Sequence, residues 1–201
     1  MPRKFPRELK GPRKVTRNRS ITARLLVICG TDETEKQYLN GVKTTYRNAA
    51  VTVKLKTRGR KSPLEVVKYA IDLQSESGDD FDEVWVVFDV DDFNIEDAVK
   101  EAERNQIKVA ISNPCFEFWL ILHFISHRAY LAGANQAQTI LKRYYAGYDK
   151  SRLDFDKFRG GIEDACHRAR SIDEAASTTF SNPSTGVWRL VEAMLPKSGK
   201  A

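Results

Sequence analysis

Nothing in the sequence approaches the ~20 consecutive apolar residues that a membrane-spanning helix requires. The N-terminus also lacks the apolar core of a secretory signal. Cysteine is scarce: Cys29, Cys115 and Cys166 are odd in number and show no CxxC spacing. That argues against a disulfide scaffold or a zinc site and points to a reducing cytoplasm. A P-loop GxxxxGK[ST] is absent, as is any internal repeat. With 201 residues, 41% hydrophobic and 30% charged, the chain is too apolar to be wholly disordered, and its length predicts one domain with an appendage.

The net charge of +6 is unevenly placed. Residues 1–24 hold nine of the 33 Lys/Arg, among them Arg13, Lys14, Arg17 and Arg19, and one of the 27 Asp/Glu, a net of +8. The remainder carries 24 basic and 26 acidic groups, a net of −2. With Pro2, Pro6, Gly11 and Pro12 interrupting it, the N-terminal stretch cannot offset the entropy of folding alone. Residues 1–22 are therefore expected to be a flexible basic arm, suited to phosphate contact through counterion release; a solubilising tail has the same composition. Residues 23–201 are expected to form one α/β domain whose part from about 115 onward is helical.

Short β-branched runs alternate with helical periods. Strands are predicted at 23–29, 51–55, 84–88 (VWVVF) and 107–111, and helices from a start within 31–35 through Tyr38, Leu39 and Val42 towards Tyr46, from Ser62–Pro63 to about 77, and at 95–106. Further helices are expected at 116–125, 136–145, 155–176 and 186–195. Four strands alternating with three helices imply a mostly parallel four-stranded sheet flanked by helices.

Ligands of an open parallel sheet bind beyond the carboxyl ends of its strands, and three polar clusters fall there. They are residues 30–35, the acids Asp89, Asp91 and Asp92, and residues 112–114 with Glu117. If the strand continues, Asp89 and Asp91 share a face. Crowded carboxylates repel, which a divalent cation relieves, and oxygen ligands suit Mg²⁺ or Mn²⁺. Acids after a strand also serve as turn formers and helix caps. Arg58, Arg60 and Lys61 flank Gly59 in a loop suited to gripping a phosphate backbone or simply to facing solvent. Phe116, Phe118, Trp119, Leu120 and Phe124 read as core, and Cys115 as a small buried apolar residue.

Four stretches carry a family resemblance: 28–39 (ICGTDETEKQYL), 84–93 (VWVVFDVDDF), 112–124 (SNPCFEFWLILHF) and 182–191 (NPSTGVWRLV). Together they resemble the RloB-like family, whose fold is similar to the Toprim domain of OLD-family nucleases, primases and topoisomerases. The resemblance implies a Toprim-like domain and a metal-dependent nuclease, associated with phage-defence or restriction loci and an ATPase partner. By position it implies that Asp89 and Asp91 are metal ligands, that Glu35 is the second acid of the first motif, and that Asn113, Glu117 and His123 belong to the third. Glu117 is thereby a metal-ligand candidate as well. The first motif of the family, EGxxTE, begins with Glu where this chain has Gly30. Asp32 or Glu33 would take that acid's place after a loop shift. Otherwise the chain is a non-catalytic subunit that binds nucleic acid or an ATPase. His123 has a second reading too, as a core-edge histidine bonded to backbone. The expected catalytic set is thus Asp89, Asp91, Glu35, Glu33, Glu117 and His123, with Mg²⁺ or Mn²⁺ as cofactor. The expected partners are DNA or RNA and an ATPase; homo-oligomer formation is left open and no membrane is implied.

Overall fold

A computed structural model describes residues 23–30, 34–47, 51–55, 62–90, 95–175 and 181–195. The arm at 1–22, with Arg13, Lys14, Arg17 and Arg19, lies outside them, as do Asp32, Glu33, Arg58, Arg60, Lys61, Asp91 and Asp92. Four strands, β1 (Leu25–Cys29), β2 (Val51–Leu55), β3 (Glu83–Asp89) and β4 (Lys108–Asn113), run parallel, as their apolar composition predicts. A two-residue strand, β5 (Ser184–Thr185), adds antiparallel to β4 and completes the order β2-β1-β3-β4-β5. The sequence did not announce β5, because two residues are too few to show alternation.

The pleat sorts alternate residues to opposite faces. Leu26, Ile28, Val84, Val86, Phe88 and Ile111 pack with α2 (Pro63–Ser77) and α3 (Glu96–Arg104). The start of α2 is set by a capping box: Ser62 Oγ accepts from the Glu65 amide at 3.4 Å, and Glu65 Oε2 accepts from the Ser62 amide at 3.0 Å. Leu25, Val27, Cys29, Trp85, Val87 and Ala110 face the other way. They pack beneath α1 (Thr34–Thr45), α4 (Phe116–Ile121), α5 (Ala134–Tyr144), α7 (Ile162–Ala175) and α8 (Val187–Met194). No helix among the described residues is long and apolar enough to cross a membrane.

Two helical expectations need correction. The helix expected at 116–125 ends at Ile121, and a turn carries the chain through His123. The helix expected at 155–176 is divided into α6 (Asp156–Arg159) and α7 by Gly160–Gly161. Glycine is poor in a helix interior, but the stronger reason is contact. A Cβ at Gly161 would stand 2.5 Å from the His123 carbonyl oxygen, so the backbone of this break passes directly over the turn after α4. Gly41 has the same role in α1: a Cβ there would be 2.2 Å from the Phe155 ring.

Gly161→Ala is therefore expected to destabilise the fold by about 1–3 kcal/mol. Gly160→Ala, where a Cβ meets nothing within 4 Å and φ is −72°, should be neutral or slightly stabilising. Urea midpoints of the two variants compared with wild type check this; equal midpoints would show that the glycine break is not sterically required.

Candidate functional site

After the apolar run Val84–Phe88, the carboxyl end of β3 is where a charged side chain can again sit without entering either core. Asp89 follows Trp85 and Val87 on the α1/α4 face and pairs with Ser112 of β4. It is half-buried, with Oδ1 fully covered. The strand ends here, although the Val90 amide still donates to the Ser112 carbonyl at 2.9 Å. Ser112 is itself fixed, its hydroxyl 2.9 Å from that of Thr185 in β5. The 182–185 segment thus abuts the strand that partners Asp89. It is anchored from behind by Asn182, whose side-chain amide donates to the Leu131 carbonyl at 2.9 Å and accepts from its amide at 3.0 Å.

After β4 the chain passes a cis Asn113–Pro114 bond and enters α4 at Cys115. Glu117, in the first turn, is buried, which costs several kcal/mol unless its charge is met by hydrogen bonds. Its Oε1 accepts from Gln138 Nε2 of α5 at 2.9 Å and from the Tyr148 hydroxyl at 3.2 Å. Burial, and then the Glu117 and Asp89 carboxylates, push the Cys115 thiol far above its ordinary range, so it stays protonated. Burial and Glu117 likewise raise the Tyr148 phenol.

Tyr148 reaches Glu117 because the segment between α5 and α6 is laid over one face of α1. Thr34 Oγ1 donates to the Lys150 carbonyl at 3.2 Å, Gln37 Nε2 donates to the Ser151 carbonyl at 3.0 Å, and the Leu153 amide donates to Gln37 Oε1 at 2.8 Å. Thr34, Gln37, Tyr38 and Gly41 recur at helical spacing, so they present one surface to this segment. Lys150 and Arg152, on its outer side, are exposed.

The other expected residues fall in different places. Glu35 is buried in the first turn of α1, where its carboxylate, after burial itself, raises the Cys29 thiol at the end of β1. Asn113 alternates to the face opposite Ser112. His123 lies among Tyr38, Trp119 and Phe158 rather than with the acids. Its Nδ1 faces the Trp119 carbonyl at 3.0 Å, which can only accept, so Nδ1 carries the proton and Nε2 accepts from the Tyr38 hydroxyl at 2.8 Å. Burial lowers its pKa to about 3, leaving a neutral imidazole with both nitrogens engaged. Gly30 points its missing side chain at the α2 face: a Cβ would lie 3.3 Å from the Val87 carbonyl oxygen and 3.4 Å from Val66 Cγ2. Sequence reasoning missed Gln138, Tyr148 and Thr34, since no motif links residues so far apart to Glu117.

A sequence model of the family described as RloB-like protein matches residues 25–194. The chain belongs to the RloB-like family. The match spans every strand and reaches Met194 at the end of α8. No curated protein and no solved structure gives a match. For this RloB-like chain, the acids at the carboxyl end of β3 and in the first turn of α4 are Asp89 and Glu117. Hard oxygens of this kind suit Mg²⁺ or Mn²⁺, which are held by one or two protein carboxylates together with waters and substrate phosphates. Among the described residues no group of three His, Cys, Asp or Glu is arranged to hold a metal.

A neutral buried His123 has a consequence for stability. Its folded pKa of about 3 lies below its unfolded value of 6.5, so the unfolded chain binds the extra proton between them. This contribution is complete above pH 6.5 and is lost as pH falls towards 3, with a slope of up to about 1.4 kcal/mol per pH unit. Denaturant unfolding between about pH 7 and pH 5 should show a shallower pH dependence for His123→Gln than for wild type; parallel curves would contradict a neutral His123.

Proposed function

We propose that this RloB-like protein is a Toprim-type, metal-dependent nuclease that hydrolyses phosphodiester bonds in a phage-defence or restriction setting beside an ATPase partner. The observation that carries this reading is the placement of Asp89 at the carboxyl edge of the parallel sheet, with the buried Glu117 in the first turn of the helix that follows the paired strand β4. Asp89 and Glu117 would hold Mg²⁺ or Mn²⁺ together with Asp91, which lies outside the described residues. The ion, when bound, supplies Lewis-acid stabilisation of charge on the scissile phosphate. Glu117, fixed by Gln138 and Tyr148, presents a carboxylate that need not reorganise. Lys150 and Arg152 on the adjoining segment, together with the basic arm and Arg58, Arg60 and Lys61, would grip the polynucleotide backbone. His123 has no part in proton transfer, because its ring is buried and both nitrogens are occupied.

A second reading, a non-catalytic subunit binding nucleic acid or the ATPase, is favoured by one observation. The position of the first-motif Glu is Gly30, whose side-chain direction leads towards Val66 and Phe88, away from the face that carries Asp89. In the nuclease reading, Asp32 or Glu33 then takes the place of the missing acid, beside Glu35 as the motif's second acid.

Single- and double-stranded DNA, messenger-like RNA and tRNA, each with Mg²⁺, Mn²⁺ or EDTA, separate the two readings. The nuclease reading expects metal-dependent cutting of at least one polymer, reduced by about two orders of magnitude in Asp89→Asn and in Glu117→Gln. Absence of cutting with salt-sensitive polynucleotide binding intact would establish the binding subunit instead. In either case, removing residues 1–22 should flatten the dependence of log K on log salt, since each lost phosphate contact reduces that slope by ~0.7–0.9. An unchanged slope would show that the arm does not touch phosphate.

A further inference from the structure

Glu117 sits on a helix of only six residues, all of them buried, and is held by groups from outside that helix. Gln138 comes from α5, where its neighbours Ala137 and Leu141 are buried in the core and set the helix's rotation. Tyr148 comes from the segment docked on α1 through Thr34 and Gln37, with Phe155 packed against the Gly41 backbone. Both donors converge on the same oxygen, Oε1, at 2.9 and 3.2 Å. Two donors on one oxygen fix the plane and rotamer of the carboxylate, which a single hydrogen bond does not. We propose that Tyr148 and Gln138 are positioning residues that orient Glu117 so that its second oxygen, Oε2, is offered to a divalent cation.

The proposal rests on the metal-dependent reading of the same site. It extends that reading to two residues that lie 31 and 21 positions beyond Glu117 and belong to none of the motifs. Both donors carry protons near neutral pH: an amide does not titrate, and a tyrosine phenol ordinarily ionises only near pH ~10. Hydrogen-bonding partners behind a metal ligand commonly govern affinity by 10–100-fold, because they keep the ligand in its binding orientation.

The test titrates the full-length protein with Mn²⁺ alone, read by electron paramagnetic resonance, and records thermal unfolding of the same samples. Tyr148→Phe and Gln138→Leu are each expected to weaken Mn²⁺ binding by about tenfold or more. Glu117→Gln should weaken it at least as much, and Glu117→Gln/Tyr148→Phe should be no weaker than Glu117→Gln alone. A structural role without positioning would lower the unfolding midpoint and leave Mn²⁺ affinity unmoved, which would overturn the proposal. So would an additive loss in the double variant, since Tyr148 would then act independently of Glu117. Wild-type Mn²⁺ binding that depends on Asp89 but is indifferent to Glu117→Gln would also overturn it, while leaving the metal reading intact. No Mn²⁺ binding by wild type would remove the metal reading, and this proposal with it.

Discussion

Strand β3 is apolar on both faces between Val84 and Phe88, with helices covering each side, and this burial governs where chemistry can occur. A charged side chain within that run would have to enter a core and bear the full cost of desolvation. Polar groups are therefore confined to the two ends of the strand, with Glu83 at its start and Asp89 at its carboxyl end beside Ser112. α4 starts immediately after β4, the strand paired with β3, and so brings Cys115 and Glu117 to the same end of the sheet.

A buried carboxylate such as Glu117 needs several donors, and they come from remote parts of the chain. The segment carrying Tyr148 stays in place because α1 offers it a continuous face: a hydroxyl at Thr34, an amide at Gln37 and a bare backbone at Gly41. The same segment turns Lys150 and Arg152 outward. One stretch of chain thus supports Glu117 from within and exposes Lys150 and Arg152, interleaved with the acids Asp149 and Asp154, to solvent.

Behind the site, the aromatic cluster of Tyr38, Trp119, His123 and Phe158 forms the base on which α1 and α4 rest. His123 is a hydrogen-bonding member of that base, satisfied by a phenol and a backbone carbonyl. Gly161 lets the α6–α7 break pass over it. A helix-period pattern runs through Gly160–Gly161 without interruption in the sequence, so the break becomes visible only once the His123 carbonyl is seen to occupy the space where a Cβ would be.

The sequence by itself determined the strands, their parallel arrangement and the position of the acids, because burial on both faces demands unbroken β-branched runs and leaves polar residues at their ends. It also determined family membership and the core character of the residues around Trp119. Only the tertiary structure decided where the acids lie. Asp89 closes β3, Glu117 is buried in the first turn of α4, Glu35 is buried in the first turn of α1, and His123 joins the aromatic core. It also decided what supports Glu117, because Gln138 and Tyr148 are brought there by the docking of helices and of a connecting segment. Those contacts depend on how whole elements pack together, and local periodicity carries no record of them.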